Sequence, residues 1–311
     1  MRLLVTGGLG FIGSNFIYYA LKKYPDFEII NLDAELTGSN KKNLKNVKKG
    51  KNYQFVKGNI NNKQLMDRYV KKCDSIINFA AESHVDRSIS GPKPFLDSNV
   101  MGLQVLLESI RKFDKKLIQI STDEVFGSLK KGSAKENDSF NPASPYAASK
   151  AAAEMLANSY VKTYDCNIII TRCTNNYGPC QFEEKLIPKV ILYAKKNKKI
   201  PVYGNGKNIR DWIYVDDHCE ALLKVLFNGK KGESYNISAS NELSNLKIIK
   251  TILEIMKKST NLIEFVPDRL GHDFRYSLDS TKTRQKLKWK PKVNFHTGLD
   301  NTIKWYLNRK W

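Results

Sequence analysis

Long apolar runs are missing from this sequence: runs such as those at 168–170 and 75–81 fall far short of the roughly 20 residues a spanning helix needs. No membrane association is expected. Nor does a cleavable signal region precede the first strand-like run, Arg2-Leu3-Leu4-Val5, so a cytoplasmic location is expected. Cysteine is scarce. Cys73, Cys166, Cys173, Cys180 and Cys219 form no CxxC pair, and an odd number suits reduced thiols in a reducing compartment. The four histidines are scattered, so no metal site is expected. No basic run is interleaved with aromatics as a base-stacking surface requires, so nucleic acid is not an expected partner despite a formal net charge of +21. Lysines gather at 41–51, 195–199 and 230–231, between candidate elements. They read as solvated surface, the alternative being attraction for anionic substrates.

With 311 residues, 41% of them hydrophobic and 27% charged, the chain can bury a large core. Its first half alternates short apolar runs with amphipathic stretches. Strands are predicted at 2–6, 28–32, 53–56, 75–79, 117–120 and 168–171, and helices between them at 10–24, 63–72, 94–113 and 145–164. Repeated strand–helix units imply a parallel sheet covered on both faces. After about residue 172 the loops lengthen and helices at 216–227 and 246–257 mix with isolated strands.

Thr6-Gly7-Gly8-Leu9-Gly10-Phe11-Ile12-Gly13 follows the first strand and opens the first helix. Glycines at 7, 10 and 13 allow a tight turn and bring a pyrophosphate close to free N–H groups at the helix start. Asp33 ends the next strand, 20 residues after Gly13, where a carboxylate binds ribose hydroxyls and repels a 2′-phosphate. NAD is therefore the expected cofactor. The fold expected is α/β, a Rossmann-type doubly wound parallel sheet with a smaller C-terminal α/β portion. Residues 1–172 would bind NAD and 173–311 mainly substrate, with a soft boundary across which the chain can interleave.

Tyr146 and Lys150 stand at i, i+4 on one helix face, a pairing in which a nearby ammonium stabilises phenolate for proton transfer. Ser121-Thr122-Asp123-Glu124-Val125-Phe126-Gly127 places two adjacent acids at the C-terminal end of a strand, where α/β enzymes bind ligands. Neighbouring carboxyls can push their pKa values apart and so supply one acid and one base.

The GxxGxxG turn, Tyr146-Ala-Ala-Ser-Lys150 and Asn78-Phe79-Ala80-Ala81 resemble the extended short-chain dehydrogenase/reductases, and the likeness runs from end to end. It implies that Gly7, Gly10, Phe11, Ile12 and Gly13 hold the pyrophosphate, and that Phe79, Ala80, Ala81 and Ser98 line the cofactor cleft. Asn59 and Ile60 would meet adenine, Asn59 standing where the family usually has Asp. Within the family the Asp123-Glu124 pair is similar to the nucleoside-diphosphate-glucose 4,6-dehydratases, whereas epimerases usually carry small or hydroxylated residues there. The resemblance implies that Tyr146 takes the C4 hydroxyl proton while C4 is oxidised, with Thr122 near the C4 oxygen. Glu124 would be the base at C5 and Asp123 the acid at the C6 hydroxyl.

Further matching stretches imply that Ser83, Asn175, Asn176, Lys185, Arg210, Asn245, Arg269 and His272 hold the sugar diphosphate and that Tyr203 stacks on the base. dTDP-glucose is the expected substrate, with UDP-glucose dehydration or sugar-nucleotide epimerisation as alternatives and a basic NAD-sensing or RNA-binding scaffold as the non-enzymatic one. A homodimer through the helices at 94–113 and 145–164 is implied as well. Two departures bear on the nucleotide: Gln181-Phe182-Glu183 replaces the usual His-Phe-Pro, and the segment between Gly127 and Pro145 is short.

Overall fold

A computed structural model describes residues 1–47, 50 and 52–309; Lys48, Lys49 and Lys51 of the first lysine run lie outside the described residues. Alternating side chains decide how the first strand is buried. In β1 (Arg2–Thr6), Leu3 and Val5 enter one core with Phe16, Ile17 and Leu222, while Leu4 enters the other with Leu103, Leu106 and Leu107. A strand buried on both faces belongs inside a parallel sheet, and each such side chain contributes about 1.5–3 kcal/mol on burial.

That sheet comprises β1, β2 (Glu28–Asp33), β3 (Tyr53–Lys57), β4 (Ser75–Asn78), β5 (Lys116–Thr122), β6 (Ile168–Cys173) and a strand from the later half of the chain. Helix α1 (Phe11–Lys23) covers one face, and α2 (Lys63–Val70) covers the other. Two short helices, α3 (Val85–Ser90) and α4 (Lys93–Leu96), lead into α5 (Gly102–Phe113), and α6 (Pro145–Tyr164) follows β5. Ser144 caps α6, its Oγ accepting from Ala147 N–H at 3.1 Å, and Pro145 pre-sets the first turn.

The predicted helix at 94–113 is interrupted. Residues Asp97–Met101 form a π turn between α4 and α5, and this turn aims Asn99 at the loop after β4. Asn99 Oδ1 accepts from Glu82 N–H (2.9 Å), and its Nδ2 donates to Glu82 O (3.0 Å) and Ser149 Oγ (2.8 Å). A π turn beside a ligand cleft is a frequent placement.

The later half builds β7 (Asn175–Tyr177), α7 (Leu186–Lys195), β8 (Ile200–Tyr203), β9 (Ile209–Tyr214), α8 (Val215–Asn228), β10 (Ser234–Ile237), β11 (Glu242–Ser244), α9 (Asn245–Ile255), β12 (Ile263–Val266), α10 (Thr281–Leu287) and α11 (Phe295–Asn308). Strand β10 is the seventh member of the main sheet, whose order is β10-β6-β5-β4-β1-β2-β3, and α8 packs on α1. Its run, Ser-Tyr-Asn-Ile, has no continuous apolar stretch, so this strand carries no distinct signal in the sequence. The remaining elements enclose their own core of Tyr177, Ile187, Trp212, Ile248, Leu299 and Tyr306, with small sheets β11-β9-β7 and β12-β8. Strand order reverses between β1 and β4, opening a crevice at the C-terminal strand ends.

Candidate active site

One cleft at that crevice is lined by every cofactor candidate: Gly7, Gly10, Phe11, Ile12, Gly13, Asp33, Asn59, Ile60, Phe79, Ala80, Ala81, Ser98, Tyr146 and Lys150. Its floor is backbone. A Cβ at Gly7, where φ is +69°, would lie 2.6 Å from Ala80 N, and one at Gly13 would lie 2.5 Å from Gly7 O. Helix α1 begins at Gly10 with no side-chain cap, so its first N–H groups are left for an anion. Asp33 braces this turn: Leu9 N–H donates to Oδ2 (2.9 Å), and Glu35 N–H and Ser39 Oγ donate to Oδ1 (both 2.8 Å). Asn59 Oδ1 accepts from Asn61 N–H at 2.9 Å, which commits the oxygen and leaves the NH2 to a ligand. These groups fit a dinucleotide whose pyrophosphate lies over the glycine turn.

At the other end the same cleft takes in Thr122, Asp123, Glu124, Ser83, Asn175, Asn176 and Lys185. Here the lining is ionisable, with Asp123, Tyr146 and Lys150 buried and Glu124 half-buried. Thr122 ends β5 and caps the following turn, its Oγ1 accepting from Glu124 N–H at 3.3 Å. The same hydroxyl faces Asp123 Oδ1 at 3.1 Å, while Asp123 Oδ2 is buried without a partner among the described residues. Burial first, and Glu124 second, push the Asp123 carboxyl up to about 8, so it is an acid holding its proton at neutrality. Burial also raises Glu124, against the opposing pull of Arg210, Arg269 and Lys185. Tyr146 is raised well above its ordinary value by burial and by Glu124, with the Thr122 hydroxyl working the other way. Lys150 donates to Ile120 O at 2.6 Å, and burial brings its ammonium down to about 8.

Behind this end runs a buried brace. Arg172 on β6 pairs with Glu154 on α6 at 2.7 Å, donates to Glu136 O at 3.0 Å, and packs on the rings of Phe126 and Phe140 at 5.0 and 5.2 Å. It ties the helix of Tyr146 and Lys150 to the turn of Asp123 and Glu124.

Tyr203, Arg210, Asn245, Arg269 and His272 are not part of the cleft lining and gather beyond it. The Asp86 carboxylate takes both Arg269 Nη1 (3.1 Å) and Tyr203 OH (3.3 Å), and the Tyr203 ring meets His272 edge-on at 6.3 Å. His272 Nδ1 is 2.6 Å from Asp268 Oδ1. Asn245 opens α9 with its N–H on Asn208 O at 3.0 Å, and Asn208 Nδ2 reaches Asp273 O at 3.3 Å.

Two candidates also make contacts of their own within the protein. Arg210 spends its fork on the carbonyls of Ile209 (2.7 Å), Phe274 (3.2 Å) and Asp273 (2.9 Å). Asn176 is held from behind, donating to Thr174 O at 3.0 Å with its Oδ1 2.9 Å from His218 Nδ1. Lys185 donates to Ser83 O at 2.9 Å, so Ser83 meets it through its backbone. The unusual Gln181-Phe182-Glu183 segment is tied to the C-terminal helix: Tyr306 OH donates to Gln181 O, and Arg309 pairs with Glu183.

Sequence reasoning missed Asn99, Asp86, Ser39, Asp273 and Tyr276. Asp86 lies three residues after Ser83 and Asp273 directly after His272, within stretches that match the family; the others carry no local signal.

Comparison with known proteins places this architecture among relatives of full length. The family model described as GDP-mannose 4,6 dehydratase matches residues 4–302. The chain is 48% identical over 308 residues to the low-salt glycan biosynthesis protein Agl12 of Haloferax volcanii, covering 99% of each chain. It is 44% identical to the dTDP-glucose 4,6-dehydratase of Streptomyces niveus, covering all of this chain and 94% of that one. Among solved structures, the dTDP-glucose 4,6-dehydratase DesIV of Streptomyces venezuelae with NAD bound superimposes with a TM-score of 0.97 at 42% identity, covering 100% of this chain and 98% of that one.

Proposed function

The chain belongs to the family described as GDP-mannose 4,6 dehydratase, and on that premise we propose that it is a NAD-dependent hydro-lyase converting dTDP-glucose to dTDP-4-keto-6-deoxyglucose. The observation that carries this reading is the Asp123-Glu124 pair, one acid buried and the other half-buried at the end of β5, with Tyr146 and Lys150 in the same cleft. The dTDP-glucose dehydratases similar to it from end to end support the choice of sugar and nucleotide.

NAD, when bound, supplies the oxidation at C4, the return of two electrons to C6, and a positive charge that favours phenolate. Gly7, Gly10, Phe11, Ile12 and Gly13 hold its pyrophosphate, and Asp33 its adenosine ribose. Asn59 and Ile60 meet adenine, and Phe79, Ala80, Ala81, Ser98 and Lys150 line the rest. Tyr146 receives the C4 hydroxyl proton, with Thr122 beside it. The 4-keto group acidifies C5–H, and Glu124 removes that proton. Asp123, an acid that keeps its proton to about pH 8, gives it to the C6 hydroxyl, which leaves as water.

Asn175, Lys185, Arg269 and His272 hold the sugar diphosphate, with Ser83 and Asn245 at its edges and Tyr203 against the base. Arg210 and Asn176 complete the substrate set, Arg210 also drawing Glu124 toward its ionised form and Asn176 fixed by His218. We assign NAD to residues 1–172 and substrate mainly to 173–311, with α8 and β10 serving the first part. Among the described residues no helix is long and apolar enough to cross a membrane. A cytoplasmic homodimer is the proposed form, supported by the exposed Leu96, Met101, Met155 and Tyr164 on α4, α6 and the π turn.

Incubation with NAD and dTDP-glucose tests the reading. A 4-keto-6-deoxy product supports it, whereas dTDP-galactose makes the chain an epimerase. Parallel reactions with UDP-glucose and GDP-mannose decide the nucleotide, which the Gln181-Phe182-Glu183 departure bears on.

A further inference from the structure

The short helix α3 joins the helix of Tyr146 to the substrate-binding half of the chain. Its Ser88 is fully buried, accepts from Tyr146 N–H at 3.1 Å and donates to Val85 O at 2.6 Å. That N–H lies in the first turn of α6 and has no partner within its own helix. Val85 packs with Phe95 and Tyr146 in one small apolar cluster. With α3 fixed in this way, Asp86 reaches the later half of the chain. Its Oδ1 takes Arg269 Nη1 at 3.1 Å, and its Oδ2 takes Tyr203 OH at 3.3 Å.

Both partners need such a hold. Tyr203 ends β8 opposite Val266 of β12, and Arg269 follows three residues later, so the two sit at one end of a two-stranded sheet. Apolar burial does little there, since Leu270 is 76% exposed and Tyr203 40%. Asp268 takes the Arg269 backbone N–H at 2.9 Å, which fixes the turn but not the side chain. Charge works against that side chain. Arg269 stands near Lys185 and Arg210, each of which its positive charge disfavours, and Glu124 attracts it without a hydrogen bond among the described residues. A long guanidinium repelled by two cations keeps one conformation when a carboxylate holds it, and Asp86 is that carboxylate.

We propose that Asp86 is a positioning residue for the nucleoside diphosphate: anchored on α3, its two oxygens set the Arg269 guanidinium and the Tyr203 ring in place before the ligand arrives. The proposal rests on the reading above, in which Arg269 holds the diphosphate and Tyr203 lies against the base. A carboxylate can accept from both donors at once, one on each oxygen, whereas an amide keeps only one acceptor atom. The contact uses Nη1 and leaves Nη2 of Arg269 to a phosphate oxygen. Binding then proceeds without ordering two rotamer-rich side chains, which is the physical gain.

The experiment measures binding of dTDP and, in parallel, UDP by calorimetry to the NAD-loaded wild type, Asp86→Asn, Arg269→Gln and the double variant. Diphosphate affinity should fall about 5–20-fold in Asp86→Asn. KM for dTDP-glucose should rise by a similar factor, with kcat and single-turnover C4 oxidation at saturation within about 2-fold of wild type. In the Arg269→Gln background the further loss from Asp86→Asn should shrink to about 3-fold or less, because the main group it sets is gone. A merely structural role would lower kcat as well, and its losses would multiply in the double variant.

Unchanged or tighter binding by Asp86→Asn overturns the proposal, the tighter result showing a carboxylate that competes with the ligand for Arg269. So do losses that multiply fully, or a fall in kcat at constant KM. If wild type binds a diphosphate but makes no keto sugar, the dehydratase reading fails while the same pattern of binding losses still supports Asp86. Normal keto-sugar formation with equal binding by wild type and Asp86→Asn leaves that reading standing and overturns the role of Asp86. Binding of neither diphosphate by wild type removes Arg269 from the site and the proposal with it.

Discussion

At the β1–α1 end of the cleft a ligand meets backbone, whereas at the β5 end it meets buried and half-buried ionisable side chains. The first end is shaped by glycines packed against Ala80 and Gly7 carbonyl oxygen, braced by an Asp33 whose oxygens are all engaged. The second end holds Asp123, Glu124, Tyr146 and Lys150 in states that burial displaces from their ordinary ones. The difference teaches that binding and chemistry load the fold differently. The cradle is also good structure, so damage there lowers stability and affinity together. The catalytic end is costly structure, so removing a charge there can raise stability while abolishing turnover.

The sharpest break in the comparison comes from Tyr146→Phe, which removes the group that takes the C4 proton. We expect about 10³–10⁴-fold loss of kcat in both oxidation and dehydration, with NAD affinity unchanged by calorimetry. Glu124→Gln should cost about 10²–10³-fold in product formation while leaving C4 oxidation intact, so reduced nicotinamide accumulates on mixing. Normal dehydration by that variant would remove Glu124 from the role of C5 base.

Asp123→Asn turns to stability. In the folded protein the Asp123 carboxyl sits at about 8, against an ordinary 3.8, so the folded state binds its proton more tightly. Stability is therefore lost as pH rises from about 4 to about 8, and the loss is absent in the amide. Thermal melts should show the variant gaining over wild type as pH increases across this window, by a few kcal/mol at most, although it is inactive. In wild type, turnover should fall above about pH 8 as Asp123 loses its proton. The smallest effect belongs to the cradle. Gly13→Ala forces a methyl to within 2.5 Å of Gly7 O, and the overpacking should cost about 1–3 kcal/mol in stability and ~10–100-fold in NAD affinity.

The two ends also differ in how far they can be read from sequence. The glycine turn, Asp33, the Tyr146/Lys150 pair and Asp123-Glu124 are each local patterns, set by one turn, one helix face or one strand end. Six of the seven main-sheet strands and most of their helices show the same local regularity. By contrast, Tyr276 reaches Glu124 across 152 residues, and Asn99 meets Glu82 only because a π turn interrupts a helix that the periodicity predicts as continuous. The fork of Arg210 reads as a phosphate clamp in sequence, and two of its N–H groups also reach backbone carbonyls 63 and 64 residues away, which no local pattern announces. Burial, which sets the protonation of the catalytic acids, is a property of the whole fold and leaves no mark on neighbouring residues.

The most direct test of the central claim follows the atom that moves. Dehydration of dTDP-glucose deuterated at C4 should give dTDP-4-keto-6-deoxyglucose carrying the deuterium at C6, read by NMR. Recovery of the label at C4 of dTDP-galactose, or its loss to water, would contradict the account.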